Sequence, residues 1–326
     1  MTRAFSEPSF GPPQAIGRLS PTGSLAPYPV SSCLAGKPAS ASPGNFLFLL
    51  ALFFGGLAQS APLTAASFVE RPNVVIVLTD DQGYGDVGCH GNPVIKTPNI
   101  DTLCGESTSF TDYHVAPTCS PTRSALLTGH WTNRTGVWHT VNGRSMLRAN
   151  EVTLGQFFKE AGYQTGMFGK WHLGDNYPYR PEDRGFTEVY RHGGGGVGQT
   201  PDVWDNAYFD GAYFHNGKIE KAKGFCTDVF FDQAGKFMKR CAAEKKPFLA
   251  YIATNAPHGP LHCPQKYLEL YPDQAPNIAS FFGMISNIDD NVGKTRTLLR
   301  KLGIERNTIF IFSGSNVYFI DISFQL

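Results

Sequence analysis

The stretch Asn73-Val-Val-Ile-Val-Leu-Thr79, running straight into Asp80-Asp81-Gln-Gly-Tyr-Gly85, decides the architecture. An apolar, β-branched run without polar alternation leaves no face for water. It therefore reads as a strand buried on both sides, as in a parallel sheet covered by helices. Gln164-Thr-Gly-Met-Phe-Gly169, Pro247-Phe-Leu-Ala-Tyr-Ile-Ala253 and residues 307–312 repeat the pattern. Between them, helices are expected over residues 97–106, from near Cys119 to Gly129, and over 151–160, 226–243 and 277–302. Residues 107–115 alternate like a strand. Residues 175–224 are loop-rich around Gly193-Gly-Gly-Gly196, which lacks the strand-to-helix setting of a phosphate loop and reads as a flexible substrate-side loop or lid. Helices alternating with apolar strands define an α/β domain with a mainly parallel central sheet flanked by helices. In such sheets ligands collect at the carboxyl ends of the strands. Asp80-Asp81, Lys170-Trp-His172 and Ser313-Gly-Ser-Asn316 all fall there, and His258 follows a strand closely.

Composition narrows the function. With 41% hydrophobic and 17% charged residues, a chain of 326 can bury a large core. A formal charge of +1 gives no basic excess, so no nucleic-acid partner is expected. Residues 1–44, rich in Ser, Pro, Ala and Gly, read as a disordered leader or a misannotated start. Residues 45–60 read as a signal peptide, because the apolar run from Asn45 to Ala58 is too short to span a bilayer and small residues follow for cleavage. The expected location is exported (periplasmic, extracellular or lumenal), without stable membrane association after signal removal. Losing Cys33 with the leader leaves six of the seven cysteines. They include no C-x-x-C pair, so neither a zinc knuckle nor a disulfide scaffold is indicated, and one or two disulfides stay open.

Adjacent carboxylates at the end of a buried strand need a neutralising cation. Asp80 and Asp81 read either as oxygen ligands for a hard divalent cation or as a solvated, turn-forming strand end. Cys119-Ser-Pro-Thr-Arg123 opens a helix, with Pro121 in the first turn. The positive end of the helix dipole favours an anion there, and Arg123, one turn on, adds a planar donor. Taken singly, Lys170 could be an exposed strand-end charge, His172 a core histidine beside Trp171, and His258 a loop-shaping residue between prolines. Asp289-Asp290-Asn291 lies in the long helix and reads as a polar face or helix–sheet contact.

Cys119-Ser120-Pro121-Thr122-Arg123 is similar to the sulfatase signature, whose fixed positions are Cys, Pro and Arg. Asp80-Asp81, Gly169-Lys170-Trp171-His172-Leu173-Gly174 and Ala256-Pro257-His258-Gly-Pro260 also resemble blocks of that family, in its order. The resemblance covers residues 72–316 and implies an alkaline-phosphatase/sulfatase-like fold. It implies hydrolysis of aryl or carbohydrate sulfate monoesters, so a sulfated small molecule or glycan as substrate. It further implies formylglycine made from Cys119 by a formylglycine-generating enzyme, and a calcium ion. On this reading Asp80, Asp81, Cys119 and Asn316 hold the metal. Cys119 is also the nucleophile, and Arg123 stabilises its end of the site. Lys170 contacts the sulfate, His172 hydrogen-bonds the diol and acts as base, and His258 contacts the sulfate and helps protonate the leaving oxygen.

The pattern breaks near the end. Ser315 stands where the family has Asp, and Val317 where it has Gly. A sulfate-binding Lys and a smaller C-terminal domain are expected beyond this point but absent, so residues 317–326 read as an aberrant tail left by a frameshift or early stop near residue 314. Two alternatives follow: an inactive, truncated sulfatase remnant, or a phosphoester or phosphonate hydrolase of the same superfamily. Cys119 argues against the latter, which usually places Thr or Ser at the nucleophile.

Overall fold

Each long apolar run of the sequence becomes a central strand. In the computed structural model, which describes residues 71–141, 143–199, 202–315 and the backbone of 320–324, β1 (Asn73–Asp80) is buried along its whole length. In chain order follow α1 (Pro98–Glu106), β2 (Thr108–Ser109), α2 (Cys119–Thr128), α3 (Thr132–Thr135), α4 (Leu154–Glu160), β3 (Gln164–Gly169), β4 (Glu188–Arg191), β5 (Ala212–His215) and β6 (Lys218–Lys221). Then come α5 (Cys226–Ala243), β7 (Phe248–Pro257), α6 (Gln265–Leu268), α7 (Pro276–Lys301), β8 (Thr308–Gly314) and β9 (Ile320–Phe324). The nine strands form one sheet in the order β2-β9-β8-β1-β7-β3-β4-β5-β6. Its middle, β8-β1-β7-β3-β4, is parallel, and antiparallel strands finish both edges. The expected α/β architecture is thus present.

The pleat of β1 sorts the core. Val75 and Val77 pack with Ile100, Leu103, Phe230, Phe237, Ile288 and Val292, the inner faces of α1, α5 and α7. Val74, Ile76 and Leu78 pack on the other face with Leu127 of α2 and, at its edge, Leu154 and Phe158 of α4. Thr153 caps α4 in a reciprocal capping box with Gln156, which places the helix start three residues after the expected 151.

Two expectations need correction. Residues 107–115 do not form a strand: only Thr108 and Ser109 pair, with Ile322 and Asp321 of β9. That alternation carries no apolar face to bury, and Phe110 is exposed. Residues 175–224 are not only loop. They supply β4, β5 and β6, and β5 turns into β6 at Asn216-Gly217, both left-handed (φ 49° and 79°), the hairpin geometry that Asn-Gly favours. Within the tail, the backbone of β9 pairs antiparallel with β8 from Ile309 to Ser313.

The leader, the signal segment, Cys33, Asn316 and Val317 lie outside the described residues. No helix among the described residues is long and apolar enough to cross a membrane. None of the six described cysteines is in a disulfide. Asp289 accepts hydrogen bonds from Ile100 N (2.7 Å) and Asn99 Nδ2 (2.7 Å), so it fastens α7 to the start of α1 rather than to the sheet.

Candidate active site

The carboxyl ends of β1, β3, β7 and β8 meet the N-terminus of α2. β1 delivers Asp80 and Asp81, β3 delivers Lys170 and His172, β7 delivers His258, and β8 delivers Ser315. Asp81 and His172 hold left-handed backbone angles (φ 61° and 58°), unfavourable for residues with a Cβ and typical of functional sites. Gly169 lets the chain turn out of β3: its φ is 107°, and an added Cβ would stand 2.0 Å from the Ala253 carbonyl oxygen.

Asp80 is the hub. Its Oδ1 accepts from Arg123 Nη2 (3.2 Å) and Ser315 Oγ (2.9 Å), and its Oδ2 accepts from Lys170 Nζ. The side chains of Asp80, Arg123 and Lys170 are fully buried. Burial alone would raise the Asp80 carboxyl, but the Lys170 ammonium and the Arg123 guanidinium outweigh it and hold the group far below the usual carboxylate range. Arg123 is braced by the Lys170 carbonyl (2.8 Å) and the Tyr251 hydroxyl (3.3 Å).

Cys119 Sγ lies 3.3 Å from His172 Nδ1. His172 Nε2 donates to the Thr140 carbonyl (2.9 Å), which makes Nδ1 the accepting nitrogen for the thiol. Burial, then the Lys170 and Arg123 charges, press the His172 imidazole down to about 3, so it is neutral near pH 7. Burial and the Asp80 charge push the Cys119 thiol up.

Asp81 is partly exposed, and its Oδ2 lies 3.4 Å from His258 Nε2. Its carboxyl is raised, first by burial and then by the Asp80 charge. Asp80, Asp81 and His258 bring one donor atom each within 4.8 Å of one another. Two adjacent carboxylates, with the Ser315 hydroxyl on one of them, fit a hard cation in donor chemistry. At position 315, where the family resemblance leads one to expect a carboxylate, the chain offers a hydroxyl.

These groups face a cavity of about 720 Å³ lined by Asp81, Cys119, His172, His258 and polar residues including Ser145, Asp175, Asn176 and Gln199. Lys170 and Arg123 do not line it; the Lys170 ammonium sits on Asp80. Asp175, Gln199 and Thr140 were missed by the sequence reading. Asp175 pairs with Arg191 (3.0 Å) and accepts from Gly194 N (3.2 Å), while Asp202 accepts from Gly193 N (2.8 Å). The glycine run is therefore a pinned and largely buried wall of the cavity, where a flexible lid was expected. A Cβ on Gly195 would meet the His172 ring at 2.8 Å.

This constellation of motifs belongs to a known protein class. The Sulfatase family model matches residues 72–321, and the chain belongs to that family. It is 30% identical over 299 residues to N-acetylgalactosamine-6-sulfatase of Mus musculus, covering 85% of this chain and 55% of the relative. It is 31% identical over 277 residues to arylsulfatase G of Homo sapiens, covering 76% of this chain and 51% of the relative. The chain thus spans about half the length of the curated relatives it matches. Among solved structures it resembles Ps i-CgsB, at 33% identity and a TM-score of 0.69, with 74% of this chain and 58% of that chain covered. The same protein has been solved in complex with k-i-k-neocarrahexaose.

Proposed function

We propose that this chain carries the catalytic half-site of an exported sulfuric ester hydrolase acting on a carbohydrate sulfate, with formylglycine made from Cys119 as nucleophile and calcium as its ion. The observation that carries the reading is the position of Cys119: at the N-terminus of a ten-residue helix, on a 720 Å³ cavity, 3.3 Å from a neutral imidazole acceptor and beside two buried cations. The sugar preference rests on the polar cavity lining and on the sulfated-sugar relatives.

A hydrated aldehyde at position 119 would supply a geminal diol, with one oxygen available to attack sulfur and the second hydroxyl able to expel sulfate as the aldehyde re-forms. Asp80, Asp81 and Asn316 would hold calcium, which when bound adds positive charge where the sulfate oxygens gather. The chain's own groups supply the rest. The α2 dipole and the Lys170 and Arg123 charges favour an anion at residue 119. His172 Nδ1 holds the proton of the group at 119 and, being neutral, can take it as base. His258, partly exposed at the cavity, would protonate the leaving oxygen.

The test is coexpression with a formylglycine-generating enzyme, peptide mass spectrometry of residue 119, and assay of sulfate release from sulfated monosaccharides. Aldehyde with calcium-dependent release, both lost in Cys119→Ala, is the expected result; unmodified thiol throughout sinks the mechanism. Ser315 favours a second reading, an inactive remnant, which aldehyde without any sulfate release would support.

A further inference from the structure

Among the described residues, outside the candidate active site, one cluster joins two thiols and an imidazole. We propose that Cys89, His90 and Cys104 form a separate metal site that takes a thiophilic divalent ion, zinc first. The two Sγ atoms and one ring nitrogen lie within 4.8 Å of one another, and none of the three side chains is deeply buried. Tetrahedral zinc, at about 2.3 Å from sulfur and 2.1 Å from nitrogen, needs donors about 3.5–3.8 Å apart. The donors, now up to 4.8 Å apart, therefore draw together on binding.

The scaffold holds the donors in place. Cys89 and His90 lie on a single 3-10 turn, Gly88–His90, between β1 and α1. Asp101, on α1, accepts from Cys89 N (2.8 Å), and Thr97 Oγ1 accepts from Gly88 N (2.8 Å). Cys104 lies three residues beyond Asp101 on the same helix, so the carboxylate that ties down the turn shares a face with the second thiol. The His90 ring stacks on Tyr84, with centroids 4.1 Å apart and planes 7° off parallel. Its Nδ1 donates to the Tyr84 carbonyl (2.8 Å). That bond fixes the tautomer with the lone pair on Nε2, the outer support that metal-bound histidines commonly have. Two thiolates and an imidazole are soft to borderline donors, unlike the oxygens of Asp80 and Asp81. A Cys89–Cys104 disulfide would use two of the three groups and give no role to the imidazole. Binding converts two thiols to thiolates and releases two protons per ion to the solvent, giving a neutral complex with water in the fourth position.

The full 326-residue chain, reduced and then freed of reductant without oxygen, is titrated with Co²⁺ as a spectroscopic substitute for zinc. A thiolate-to-cobalt charge-transfer band that saturates at one equivalent and is bleached by zinc is expected. It should persist in Cys119→Ser, vanish in Cys89→Ser and Cys104→Ser, and weaken in His90→Ala. Release of two protons per zinc by the unmutated chain, in weak buffer, gives the same reading without a substitution. Absence of the band, its survival in Cys104→Ser, or a Cys89–Cys104 disulfide in the exported protein overturns the proposal.

Discussion

At Asp80 one carboxylate accepts from Arg123, Lys170 and Ser315 with no exposed surface to share the load. Removing a partner strands a buried charge. Lys170→Ala should therefore cost about 3–5 kcal/mol in denaturant unfolding, whatever it does to catalysis. Ser315→Asp restores the carboxylate the family carries there, and calcium should raise its melting temperature more than that of the parent; an equal shift would remove Ser315 from the metal question. Gly195→Ala should displace the His172 ring and cut activity sharply, while circular dichroism stays near that of the parent. The sequence displayed these residues unevenly. Cys119 and Arg123 sit one helical turn apart and stood out. The Lys170 ammonium on Asp80 did not, because an ion pair across 90 residues leaves no mark in local spacing.

Among the elements, the central strands and the helices between them were legible because each is long and uniformly apolar or strongly amphipathic. The edge was not. β4, β5 and β6 are four residues each, and β6 is exposed throughout, so burial wrote no pattern into it. Asn216-Gly217 was the available signal and was overlooked. Residues 107–115 failed in the opposite way, through alternation without a surface to cover. The glycine run looked mobile because its anchors, Asp175 and Asp202, lie 19 and 9 residues away along the chain. Gly169 is where element geometry fixes the site, since it ends β3 one residue before Lys170. Gly169→Ala combines a left-handed φ with a collision against the Ala253 carbonyl, so a loss of at least about 2 kcal/mol is expected, read from the midpoint of thermal unfolding.

For the molecule as a whole, acid should be the vulnerable side. Burial holds the fully enclosed His192 down to about 3, below the ~6.5 of an exposed histidine. Between those values the unfolded chain binds more protons, so stability falls as the pH drops through that window. His192→Gln should flatten that limb of the melting-temperature profile; an unchanged slope would assign it to other groups. The strand order also sets a timetable. β1 is completed against β8, 235 residues downstream by register, and the folded chain leaves Cys119 only 5% exposed. At roughly 5–20 residues per second, the ribosome takes on the order of 10–40 s to travel from Cys119 to β8. On the proposed reading, an enzyme converting that thiol would have only this interval before the fold closes over it, and slowed or sped translation across it would change the fraction of chains carrying the aldehyde.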